Sequence, residues 1–370
     1  ILVEHIAEMP PTDHTRLGAM MHVAILQAVR AASGASADAA AVSAAHRVLR
    51  SVIPEKAPAL DAALQRSLQR IPEGRDKRAG IAVGEAAAAE IIASRQGDGS
   101  QPPESRLPES LEPGVWQLTP GCPPTGGVFL HWRKVAPFAM RRPDQFRSEP
   151  PPPLSSRRYT RDYEEVKRMG DQHSASRPQD RTDVARLYGI VGDGLLWNPI
   201  ARQLAAKRRA TLVQNARIFA LLNVALADAA IAVIDTKYYY NYWRPETAIR
   251  AAAADGNDET EPQVTFVPLI ETPCFPSYPS GHASLSHAAR RVLEHFYGGG
   301  DHRIVIASAQ LPGVVLEYSN LADITADIDD ARVFGGIHFR FDQAAGEEQG
   351  RRLGNHVLRH GLRTRGVHAH

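Results

Sequence analysis

Apolar residues return every three or four positions through most of the first 95 residues. That spacing commits a chain to amphipathic helices packed on one another. It predicts helices over 15–32, 37–49, 57–68 and 81–92, punctuated by Pro54, Pro72 and Gly74. From 96 to 156 the character changes. Pro-Pro-Glu, Pro-Glu-Ser and the run 150–153 exclude long helices, while Trp116, Phe129, Trp132 and Phe138 are scattered among the prolines. So many aromatics in a loop predict an ordered wrap on a surface rather than a linker. Helical spacing resumes over 159–169 and 182–189, in one long run from 200 to about 237, then over 280–296 and 335–362. Convincing alternating strands are absent. The chain reads as all-α, with an N-terminal helical bundle (1–95), a Pro-rich ordered connection (96–156) and a C-terminal helical bundle (157–370), together one compact unit.

The longest apolar stretch, 219–234, is interrupted by Asn223 and Asp228. It reads as a buried core helix, so no membrane span is expected. A formal net charge of +2 gives no global attraction to nucleic acid or to a membrane surface, and any anion must be held by a local cluster. Cys122 and Cys274 both sit in Pro-rich turns. They read first as two unrelated small apolar residues, and alternatively as one long-range disulfide, which would suit an oxidising, periplasmic or secreted setting. No signal peptide is legible, and the start at Ile1 fits a removed leader. A cytoplasmic location stays open.

Three short segments carry chemistry. In the first, Lys237 and Arg244 lie seven apart, about two helical turns, so one helix could present both on one side, with Pro245 following. In the second, Pro279-Ser280-Gly281-His282 looks like a turn opening a helix: Ser280 suits the N-cap, and a helix N-terminus attracts anions. In the third, Arg332 precedes Gly335, Gly336 and His338, and Asp342 is four residues past His338, close enough on a helix to orient its imidazole. Alone, each piece is weak: Ser-Gly-His is usually a mere helix start, and Asp342 is more often a solvated charge. Their order is far more specific than any one of them.

Together the segments resemble the superfamily of vanadium-dependent haloperoxidases and type 2 phosphatidic acid phosphatases, and the surrounding sequence is similar to the soluble bacterial haloperoxidase branch. The resemblance implies two helical bundles with the oxyanion site in the C-terminal one, and vanadate as cofactor, with phosphate an isostructural competitor. It implies that Lys237, Arg244 and Arg332 hold the oxyanion, that Ser280 and Gly281 donate hydrogen bonds to it, that His282 is the acid–base group, that Lys237 polarises bound peroxide and that His338 ligates the metal. Hydrogen peroxide, a halide and an organic substrate are the implied partners, and a homo-oligomer is left open. Phe275, by position, implies chloride-capable or broad halide use; the plainer reading is a core aromatic. Trp243 is a further halide-pocket candidate. One departure is that the third motif usually opens Ser-Arg, whereas here it opens Ala331-Arg332, losing one hydroxyl.

The expected activity is oxidation of halide by hydrogen peroxide. The rival is a soluble acid phosphatase in which the equivalent histidine forms a phosphohistidine. An oxyanion-binding or purely structural relative is the non-enzymatic alternative, against which the intact Lys, two Arg and two His argue. His287 and His295 read as packing or surface residues, residues 207–209 as a solvated helix face, and residues 298–300 as a loop.

Overall fold

The computed structural model describes residues 9–208 and 210–362, and helices dominate them. Helices α1 (Pro11–Ala31), α2 (Ala37–Val52), α3 (Ala57–Leu68) and α4 (Arg75–Ser94) form the N-terminal layer. Residues 96–156 contain no α-helix, only 3-10 turns at Leu130–Lys134 and Pro143–Phe146, yet Trp116 and Trp132 are buried. The second half holds α5 (Arg157–Gly170), α6 (Gln179–Ile190), α7 (Asp193–Ala206), α8 (Leu212–Tyr240), α9 (Pro245–Ala251), α10 (Gly281–Tyr297), α11 (Leu321–Phe334) and α12 (Arg340–His360).

Helix α8 is the axis of the molecule, with α1, α10 and α12 packed around it. It is long and apolar enough to cross a membrane, but 94% of its most apolar window is buried inside the protein, which makes it a core helix. Its polar residues are internal pins. The fully buried Asp228 carboxylate accepts from the backbone N–H groups of Phe138, Ala139 and Met140 at 2.7–2.8 Å. Asp235 accepts from Arg147 through both oxygens, at 2.9 and 3.0 Å. These charge-assisted bonds fasten the Pro-rich segment to the core, because a buried carboxylate left unpaired would be costly. Asn223 pairs reciprocally with Asn198 of α7 at 2.9 Å.

The single helix expected over 200–237 is two. Thr211 starts α8 anew: its hydroxyl accepts from Gln214 N–H (3.2 Å), and the Gln214 side chain accepts from Thr211 N–H (2.8 Å). That capping box overrides the continuous apolar spacing. Lys207 and Arg208 are exposed in the break rather than on a helix face, and Arg209 lies outside the described residues. Strands are also present: β1 (Ile304–Ala307) pairs antiparallel with β2 (Val315–Tyr318), Ile304 opposite Tyr318. Four residues each is too short an alternation to read from sequence. The helix expected over 335–362 begins only at Arg340, and α11 precedes it unforeseen.

Cys122 and Cys274 are bonded, with Cα atoms 5.3 Å apart across a separation of 152 residues, so the reading of two unrelated residues is wrong. With the hydrogen bond from Val128 N–H to the Cys274 carbonyl (2.9 Å), the bridge ties the Pro-rich segment to the loop ahead of Phe275.

Candidate functional site

Lys237 stands in the last turn of α8, which ends at Asn241 in the left-handed region (φ 50°), a conformation Asn tolerates. The chain then turns, and Arg244 becomes the N-cap of α9. The two cations are therefore not on one helix, as their spacing had suggested; a reversal brings them together. Both are almost wholly buried, at 1% and 0% exposure. Lys237 Nζ donates to the carbonyls of Pro276 (2.9 Å) and Ser277 (2.7 Å). Arg244 Nε donates to the Phe275 carbonyl at 2.8 Å. Its Nη1 donates to the Ile337 carbonyl at 2.9 Å and lies 3.1 Å from His338 Nε2. Its Nη2 is buried without a hydrogen-bond partner.

The turn at Gly336, where φ of +81° requires a residue without a side chain, separates Arg332 on α11 from His338. His338 thus precedes α12 rather than lying on it. Asp342 still reaches back: its Oδ2 lies 2.7 Å from His338 Nδ1, and it accepts from Phe339 N–H at 3.2 Å. The same oxygen accepts from the Ser277 hydroxyl at 2.5 Å. Ser277 was missed from sequence; it lies two residues ahead of Pro279, and only the fold brings it to Asp342, 65 positions away.

Ser280 is the N-cap of α10, its hydroxyl oxygen accepting from Ala283 N–H at 3.3 Å, which leaves its own proton available to a ligand. The first N–H groups of an α-helix have no acceptor within it, and in α10 the first belongs to Gly281. Helix α12 lies directly on α10. A Cβ on Gly346 would stand 2.6 Å from the Ser280 carbonyl oxygen, and one on Gly350 would stand 2.2 Å from that of Ser284. This approach holds Asp342 beside Ser280, whose N–H donates to the Asp342 carbonyl at 3.0 Å. Arg332 is buried, with Nη1 donating to the Tyr188 carbonyl at 3.0 Å. Its charge acts on Lys237, Arg244, His282 and His338, so it belongs to the same cluster.

Phe275 faces the cations, its ring centre 5.2 Å from Lys237 Nζ and 5.0 Å from Arg244 Cζ. Trp243 does not join it. It is fully buried in a separate hydrophobic cluster that also holds Tyr159, Tyr242 and Phe339.

The electrostatics have one theme, like charges crowded out of water. Burial, then the Arg244 charge, pushes the Lys237 ammonium well below its ordinary range. Burial, then Arg332, Lys237 and Arg244, holds His282 far down, and burial with the same cations does so for His338. Both imidazoles are neutral at neutral pH. Burial raises the Asp342 carboxyl to about 7 against the Ser277 hydrogen bond. Three cations, an Arg nitrogen without an acceptor and open space beside Gly281, where a Cβ would meet only Val233 at 4.0 Å, fit a small tetrahedral anion. Vanadate meets that description, and so does phosphate.

Residues 217–365 match the model of the VCPO second helical-bundle domain, which spans all three segments. The chain is 26% identical over 269 residues to vanadium chloroperoxidase of Curvularia inaequalis, a match covering 55% of this chain and 44% of that protein. Less than half of the curated relative is thus spanned. In fold, the chain is similar to a bacterial vanadium-dependent iodoperoxidase: TM-score 0.80, 24% identity, 97% of this chain and 94% of that one covered. It is also similar to the apo form of a bacterial vanadium-dependent chloroperoxidase, with TM-score 0.74, 18% identity and coverage of 95% and 94%.

Proposed function

Because the chain belongs, through its C-terminal bundle, to the vanadium-dependent haloperoxidase family, we propose that it oxidises halide with hydrogen peroxide to hypohalous acid or an equivalent that halogenates an organic substrate. The observation that carries this reading is the grouping of Lys237, Arg244 and Arg332 with the Nε2 face of a neutral His338. Lys237, Arg244 and Arg332 would hold the oxygens of vanadate, with the Ser280 hydroxyl and Gly281 N–H donating to them and His338 Nε2 ligating the metal. Bound vanadate supplies a Lewis acid that activates peroxide without changing its own oxidation state.

The protein's own share is proton handling, exclusion of water and charge placement. The overall reaction, X⁻ + H₂O₂ + H⁺ → HOX + H₂O, consumes one proton. His282, neutral because of its cationic neighbours, takes a proton from incoming peroxide at a ring nitrogen and returns it to the departing water. Lys237 polarises the bound oxidant. Phe275 covers one side of the cations and keeps water from them.

The test adds orthovanadate to the metal-free chain and follows halogenation of a phenolic dye with peroxide and chloride, bromide or iodide. Hydrolysis of p-nitrophenyl phosphate without vanadate is measured in parallel. Halogenation that requires vanadate, peroxide and halide together is the expected result. Hydrolysis alone would replace the reading with a phosphatase that passes through a phosphohistidine at His338.

A further inference from the structure

A second cluster of metal-ligating side chains lies on the same three helices that frame the oxyanion site. His287 of α10 is buried, at 7% exposure, between Asp329 of α11 and Glu347 of α12. Its Nε2 lies 3.0 Å from Asp329 Oδ2 and its Nδ1 3.8 Å from Glu347 Oε1. One ligand atom from each of the three residues lies within 4.8 Å of the others.

Two further observations point to a cation. Asp329 Oδ1 is buried and has no hydrogen-bond partner, an arrangement that a carboxylate rarely keeps. Among the described residues, neither Asp329 nor Glu347 has a Lys or Arg within ion-pair distance. The neighbouring Asp330, by contrast, is held by Arg340 at 2.7 Å. The cluster is thus two carboxylates and one imidazole with no Lys or Arg in direct contact, the charge of Arg340 acting on Asp329 only from beyond ion-pair distance. Burial accordingly drives the Asp329 carboxyl above its ordinary range.

We propose that His287, Asp329 and Glu347 bind one divalent transition-metal ion of the zinc class, with water completing its coordination. The imidazole nitrogen selects against calcium and magnesium, which take oxygen ligands. Zinc bonds to nitrogen and carboxylate oxygen of about 2.0–2.2 Å put tetrahedral ligand atoms roughly 3.4 Å apart. Asp329 and His287 already stand near that separation. The ion would sit at Nε2, on the Asp329 side of the ring; Glu347, now nearest Nδ1 and with its side chain 52% exposed, would reach it by a rotamer change and marks the route of entry. The ion would staple α10, α11 and α12, which carry His282, Arg332 and Asp342 respectively. Its role is structural support of the bundle, and the site stands whether or not the oxyanion site binds vanadate.

The test uses the full chain without an affinity tag, stripped with a chelator, and titrated with Zn²⁺ by calorimetry and with Co²⁺ by absorption spectroscopy. The expected result is one Zn²⁺ per chain retained through desalting and a higher melting temperature. In His287→Gln and Glu347→Gln the affinity should fall about tenfold or more. Glu347 is half-exposed, so its variant keeps the fold even if the His287 variant does not. A wild-type chain that retains no zinc overturns the proposal. So does a Glu347→Gln chain that binds zinc as tightly as wild type, which would leave His287 a mere hydrogen-bonded packing residue.

Discussion

His338 Nε2 and Arg244 Nη1 are 3.1 Å apart, and a guanidinium can only donate, so Nε2 is the unprotonated nitrogen of that ring. The proton must then sit on Nδ1, where Asp342 Oδ2 receives it at 2.7 Å. The fold thereby sets the tautomer: the lone pair faces the cations and the N–H faces away from them. Replacing the carboxylate by its amide keeps the shape and removes the strong acceptor. Asp342→Asn should weaken vanadate binding about 10–100-fold while the chain stays folded. Equilibrium dialysis against orthovanadate with vanadium analysis measures it. Wild-type affinity in that variant would show that the Asp342 contact does not prepare His338.

Lys237 is a cation penalised by its surroundings, with burial and Arg244 both opposing its charge. An anion beside it removes that penalty, so orthovanadate or phosphate should stabilise the folded chain. At a ligand concentration of 100 times Kd, the gain is about 2.7 kcal/mol. Lys237→Met should lose most of this gain, read as the ligand-induced shift in melting temperature. An undiminished shift would place the anion elsewhere.

The candidate site residues could be named from sequence because each motif is local. What sequence left hidden was how they meet. Lys237 and Arg244 looked like neighbours on one helix, and instead a left-handed Asn241 turns the chain between them. His338 and Asp342 looked like a helical i,i+4 pair, yet the contact survives although the helix starts only after His338. Ser277 could not have been found, because its partner lies 65 residues away and no local spacing encodes that approach. Trp243, next to Arg244 in sequence, is buried in a different hydrophobic cluster, together with Tyr242 and Phe339. The four N-terminal helices lie where their apolar faces predict them, whereas α11, with Leu321, Ile324 and Ile328 buried on one side, had no counterpart in the sequence reading. The reading failed at the α7–α8 junction, where the Thr211 capping box outweighs an unbroken apolar pattern.

The Cys122–Cys274 bridge closes a loop of 152 residues and anchors the segment next to Phe275. Joining distant parts of the chain restricts the unfolded state, an effect worth about 2–4 kcal/mol. The Cys122→Ser/Cys274→Ser chain should unfold at correspondingly lower urea concentration. Asp228 and Asp235 still pin the Pro-rich segment in that variant, so its helical circular dichroism should match wild type. Equal urea midpoints would mean that those hydrogen bonds alone fasten the segment.

The contact between α1 and α8 should be acid-sensitive. His22 of α1 stacks on Phe219 of α8 with ring centres 5.4 Å apart, and burial pushes its pKa from 6.5 down to about 4. In the unfolded chain the same imidazole protonates near 6.5, so as pH falls the unfolded state binds that proton first. This contribution to stability is therefore complete above about pH 6.5 and is lost progressively as pH falls to about 4. His14, also on α1, is lowered to about 4 by burial and adds in the same direction. His22→Leu keeps an apolar contact with Phe219 and removes the titrating group. Urea midpoints measured between pH 7 and 4 should fall less steeply in this variant than in wild type, and parallel curves would rule out protonation at His22 as a cause of the acid sensitivity.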